Sequence, residues 1–157
     1  MCLKKWFSVD KPVATPPPSA TITPMQPAQP TPTVQPTQAV KYPRIVSWGN
    51  MISRFEGAKP VLNNPGNLRY TTLTASWGAI DNGSFCQFST YEAGFQALCN
   101  FLQLACEDQL IPYHNARTIK QFTEVYTDYP PPEYDYSDNL IKALNLTPET
   151  PISDFLS

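Results

Sequence analysis

The rhythm of apolar positions changes near residue 44 and divides the chain. From there Ile45, Trp48, Ile52 and Phe55 recur at spacings of 3, 4 and 3, which places them on one face of an amphipathic helix. The pattern stops at Gly57, with Pro60 soon after; a glycine past the last apolar position and a proline beyond it end helices. Asn63-Asn64-Pro65-Gly66-Asn67 predicts a turn. Pro65 and Gly66 suit the central positions of a type II turn, the second of which needs a positive φ. Three short apolar runs follow, Leu68 to Leu73, Ser76 to Ile80 and Ser84 to Phe88. They predict a small antiparallel sheet of two or three strands, with Asp81-Asn82-Gly83 as a hairpin signal between the last two.

Helical spacing then returns. Ser89-Thr90-Tyr91-Glu92 has the form of a capping box and opens a helix with Phe95, Leu98, Cys99, Leu102, Ala105 and Cys106 on its apolar face. A second helix from Thr118 buries Ile119, Phe122, Val125 and Tyr126, and the run Pro130-Pro131-Pro132 ends it. A third, from Tyr136 to Leu144, turns Leu140, Ile141 and Leu144 inward, and Pro148 to Phe155 predicts a short closing turn or helix. Helix, small sheet, then helices is the order of an α+β domain, here over residues 44–157, with apolar positions enough for one core.

Residues 1–43 are a different polymer. They hold ten of the 18 prolines, and Val13 to Val40 is mainly Pro, Thr, Ala, Gln and Ser, without aromatics or a sustained period. Such a segment buries too little apolar surface to offset its ordering entropy, so a disordered Pro/Thr-rich arm sampling extended polyproline-II conformers is expected. It reads as a semi-rigid tether; the other reading, a segment that threads the wall or engages a virion or secretion-machine partner, has no residue that singles it out.

Charge follows the same division. Lys4, Lys5, Lys11 and Lys41 against Asp10 give residues 1–43 a charge of +3, and the whole-chain value of −2 leaves −5 for residues 44–157. That balance argues against binding nucleic acid, which requires a basic stripe to meet phosphates. Lys4 and Lys5 resemble a signal n-region, but Asp10, Lys11 and Pro12 interrupt before an apolar core accumulates, so no ordinary secretory signal is expected. Nor is Cys2 expected to be a lipoprotein cysteine, since no hydrophobic segment precedes it. No run approaches the roughly 20 apolar residues of a membrane span. Cys99 and Cys106 lie two helical turns apart, about 10 Å, too far for a disulfide between them. With Cys86 in a predicted strand, all three are expected to be reduced core residues. His114 is the only histidine, which leaves no basis for a metal site; no metal or cofactor is expected.

The residue with most chemical content is Glu56, at the last turn of the first predicted helix and beside Phe55. A carboxylate there meets the negative end of the helix dipole, and partial burial further disfavours its charged form. Both suit a general acid. Taken alone, the position also fits a surface glutamate that ends a helix.

Its surroundings add a resemblance. Phe55-Glu56-Gly57 followed by Asn64-Pro65-Gly66-Asn67-Leu68-Arg69 resembles a lysozyme-like lytic transglycosylase family of bacterial and phage proteins. In that family a helix-ending Glu is paired with an Asn-Pro-Gly-Asn-(Leu/Ile)-Arg turn. Trp77-Gly78, then Phe85-Cys86-Gln87-Phe88, Glu92-Ala93-Gly94-Phe95-Gln96-Ala97-Leu98 and Thr118-Ile119-Lys120-Gln121-Phe122 follow in the family's order. The likeness spans about residues 45–157. It implies the goose-type lysozyme fold, mainly helical, with the glutamate facing a small β-hairpin across a sugar groove. It also implies cleavage of peptidoglycan glycan strands in the periplasm or cell wall.

Under that resemblance Glu56 is the catalytic acid, Asn64, Asn67 and Arg69 shape the groove, and Tyr136 approaches it from the late helix. The asparagines have two readings, local backbone bonding or sugar contact, and Arg69 either holds the turn or touches substrate. The loop from Tyr129 to Asp135 is shorter than the family's, which leaves Tyr134 and Tyr136 as alternatives for the late tyrosine. Asp81 is the candidate for a second carboxylate, such as most glycosidases use, although Asp-Asn-Gly is explained by turn chemistry alone. Without a partner carboxylate, transglycosylation by a single Glu is the economical chemistry. The rival function is a non-catalytic wall-binding or virion structural protein on the same fold.

Overall fold

The first helix, α1, spans Pro43–Glu56 and ends on Gly57, whose φ of 54° is the left-handed conformation that glycine adopts without steric cost. Pro43 opens it at the first turn, where a missing N–H breaks no helical bond. The computed structural model describes residues 41–57, 60–127 and 135–157. The arm upstream of residue 41, including Cys2, lies outside the described residues, as do Pro130-Pro131-Pro132 and Tyr134.

The fold is α+β and mostly helical. After α1 come α2 (Thr72–Ser76), β1 (Ile80–Asp81), β2 (Cys86–Gln87), α3 (Tyr91–Cys106), α4 (Ile119–Tyr126) and α5 (Tyr136–Ala143). Short 3-10 turns lie at Pro60–Leu62, Ile111–Tyr113 and Ile152–Leu156, the last forming the predicted closing turn. The two strands pair antiparallel, Ile80 with Gln87 and Asp81 with Cys86, so the hairpin forms around the Asp81-Asn82-Gly83 signal.

Three local expectations are corrected. The run Leu68 to Leu73 is not a strand: Thr71 caps α2, its hydroxyl accepting from Thr74 N at 3.2 Å while Thr74 Oγ1 accepts from Thr71 N at 2.8 Å. This reciprocal cap outweighs the β propensity of the threonines, and Ser76 is helical too. The α3 cap is Thr90 rather than Ser89, accepting from Ala93 N at 3.1 Å. The third correction concerns Gly66, which does not adopt a positive φ; Asn63 and Asn67, flanking it, do, at 51° and 48°. The turn closes through Asn67 N on Asn64 O at 3.1 Å. Glycine at 66 leaves room for its neighbours: a Cβ there would stand 2.6 Å from Leu98 Cδ1 and 3.0 Å from the Tyr126 hydroxyl, so those side chains would have to shift.

The core gathers around Trp48, which packs on Phe122 at 4.7 Å and Phe155 at 4.5 Å between ring centroids. Ile45, Ile52, Leu98, Leu102, Ile119 and Leu140 are fully buried around it, each contributing about 1.5–3 kcal/mol of apolar burial. All of these, Trp48 included, hold the inward places of predicted stripes, as do Cys99 and Cys106; these two and Cys86 are buried free thiols as expected. Burial raises the Cys99 and Cys106 thiols to about 12. The chain's end clips α4 in place, with Ile119 N donating to Thr150 O at 2.9 Å and Ile152 N to Arg117 O at 3.1 Å. No described helix is long and apolar enough to cross a membrane.

Candidate active site

Where α1 ends, a groove of about 710 Å³ opens. It is lined by the end of α1 and the 66–74 segment, by Phe85 from the hairpin, and by Phe101, Tyr113, Tyr126 and Tyr136 from the later helices and turns. Its surface is mainly aromatic and aliphatic, with a few convergent polar groups, the usual composition of a ligand site.

Glu56 lies on this groove, half-buried. Asn67 joins it there: its side-chain Nδ2 donates to Glu56 Oε2 at 2.8 Å and to the Glu56 carbonyl at 3.3 Å. One amide thus satisfies both the carboxylate and a carbonyl at the helix end, where main-chain oxygens lack helical partners. Among the described residues lining the groove, Glu56 carries the negative charge and Arg69 the positive one. The Arg69 guanidinium stands over the Phe85 ring at 5.9 Å, within reach of a cation–π contact.

Asn64 does not reach the groove. It is buried beneath the turn, its Nδ2 donating to Leu68 O at 2.9 Å and Cys86 O at 3.0 Å while its Oδ1 accepts from Leu68 N at 2.9 Å. All its bonds are to backbone, so of the two readings open for the asparagines, Asn64 takes the structural one. It fastens the turn to β2. Asp81 is likewise absent from the groove: it is exposed on the hairpin and accepts from Gly83 N at 2.9 Å, an Asx turn.

Tyr136 caps the site from the first residue of α5. It is buried, and its ring meets Phe55 edge-on at 5.9 Å. Of the two late tyrosines, Tyr134 lies outside the described residues. Tyr126 is a groove residue that sequence reasoning took for core alone. Its ring lines the groove while its hydroxyl donates a short hydrogen bond to Gly66 O. Burial pushes that hydroxyl well above its usual range, with the charge of Glu56 acting in the same direction. No pattern in the sequence links position 126 to position 66; a tyrosine on an apolar stripe is compatible with any polar partner at its tip.

The chain matches no family model, no curated protein and no solved structure.

Proposed function

We propose that this chain cleaves the β-1,4 bond between N-acetylmuramic acid and N-acetylglucosamine in peptidoglycan, as a lysozyme-like lytic transglycosylase with Glu56 as its single acid and base. The observation that carries the reading is Glu56 itself, a carboxylate at a helix end, held by Asn67 and facing an aromatic groove with no second carboxylate among the described lining residues. The ordered motif from Phe55 to Arg69 supplies the substrate class.

In this mechanism protonated Glu56 donates to the glycosidic oxygen as the bond to the muramic C1 breaks. The substrate's N-acetyl group stabilises the cationic carbon. Glu56, now a carboxylate, takes the proton from the muramic C6 hydroxyl as that oxygen bonds to C1 and closes a 1,6-anhydro ring. The proton returns to Glu56 and no water is consumed. A single carboxyl suffices because the nucleophile is intramolecular, with the high effective molarity that follows.

Mass spectrometry of the soluble products from sacculi tests the proposal. Anhydro ends are expected, and Glu56→Gln should abolish their release while the melting temperature stays near wild type. Full activity in Glu56→Gln overturns the role of Glu56. Reducing ends mean hydrolysis instead, and binding to sacculi without any soluble product means a wall-binding protein on this fold.

A further inference from the structure

The bond from Asn67 to Glu56 has a direction. Both partners of the Asn67 Nδ2 are oxygens, Glu56 Oε2 at 2.8 Å and the Glu56 carbonyl at 3.3 Å, so the amide can only donate. An Oε2 that accepts in this way is a poor place for the carboxyl proton. The proton then belongs on Oε1, the oxygen that Asn67 leaves unengaged.

Asn67 is itself held. Its φ of 48° is a left-handed conformation that asparagine tolerates better than most residues. Its N–H is tied to Asn64 O at 3.1 Å, and Tyr126 clamps the preceding carbonyl, that of Gly66. The donor therefore arrives pre-aimed, without ordering a free side chain when the carboxylate forms.

We propose that Asn67 is the positioning residue of Glu56: it assigns the transferable proton to Oε1 and stabilises the carboxylate left behind after transfer. Its catalytic consequence rests on Glu56 being the acid, whereas the hydrogen-bond relation does not. Among the described residues lining the groove, the other ionisable groups are Tyr126 on α4, Tyr136 on α5, Tyr113 and Arg69. Substitution at 67 leaves all of them in place.

The test is a carbon-detected titration of the Glu56 side-chain carboxyl in the 157-residue chain, comparing wild type with Asn67→Gly and Asn67→Asp. Glycine accepts the left-handed backbone but removes the donor, so the midpoint should rise by about half to one pH unit. Aspartate keeps the shape but sets a second carboxyl against Oε2; the two must share a proton, and the midpoint should rise further. Midpoints unchanged in both variants overturn the proposal.

If either variant fails to fold, wild type still decides. The Asn67 side-chain amide resonances should follow the Glu56 titration and cease to titrate in Glu56→Gln; amide resonances indifferent to Glu56 overturn it. In the active enzyme the alkaline limb of kcat/KM should move upward with the midpoint, which a merely structural loss would not produce. A shifted midpoint in a protein that releases no muropeptides supports the positioning and refutes the transglycosylase reading, so the two fail separately.

Discussion

Replacing Gly94 by alanine sets helix propensity against tertiary contact and gives them opposite signs. Gly94 lies in the first turn of α3. Within a helix, alanine is favoured over glycine by about 1 kcal/mol, so the local expectation is a more stable protein. The structure predicts the reverse. A Cβ on Gly94 would stand 1.8 Å from Asn63 O, 2.9 Å from Asn63 C and 3.0 Å from Pro65 Cδ. Carbon–oxygen contacts of this kind essentially never fall under 3.0 Å, so α3 and the turn must part by roughly 1.2 Å.

The turn has little freedom to retreat. Asn63 Nδ2 is bonded to Phe88 O at 3.0 Å, Asn64 ties the turn to β2, and Tyr126 holds Gly66. Overpacking costs about 1–3 kcal/mol, and a clash with fixed backbone belongs at the top of that range. After the propensity gain, a net loss of about 2 kcal/mol remains, which for a domain of this size lowers the melting temperature by roughly 10 °C. Thermal and urea denaturation followed by circular dichroism measure it. A melting temperature equal to or above wild type would refute the packing argument.

Two other predictions concern the rest of the molecule. Asp81→Asn keeps the acceptor for Gly83 N and should leave muropeptide release within about twofold of wild type; a loss of a hundredfold or more, measured on the same sacculi, would restore Asp81 as a catalytic carboxylate. Burial raises Cys99 and Cys106 from 9.0 to about 12, so unfolding lets both thiols lose protons that the fold retains. Their stabilising contribution is complete below about pH 9 and declines as pH rises towards about 12. The melting temperature should fall across that window, less steeply when both cysteines are replaced by alanine; identical slopes would show that these thiols do not govern it.

Much of the scaffold is legible in the chain because helices announce themselves locally. The stripe Ile45, Trp48, Ile52, the stop at Gly57 and the threonine at 118 match α1 and the capped start of α4, since 3.6-residue periodicity and cap chemistry act over a few residues. The segment after Leu68 failed for a reason equally local. Thr71 and Thr74 form a reciprocal cap, and β-branched residues that resemble a strand run masked it. Glu56 was legible as a candidate only through the motif behind it.

What the sequence by itself determined is therefore the four longer helices, α1, α3, α4 and α5, the hairpin and the carboxylate to suspect first. Tertiary structure alone decided how the two asparagines of one turn divide their work. Asn64 is drawn under the turn by Cys86 O, 22 residues away, and Asn67 is turned towards Glu56. It also decided what presses on Gly66 and Gly94: in both cases another element occupies the space a side chain would need. Neighbours distant in the chain impose these constraints, and no periodicity or propensity carries a record of which surface will be pressed against which.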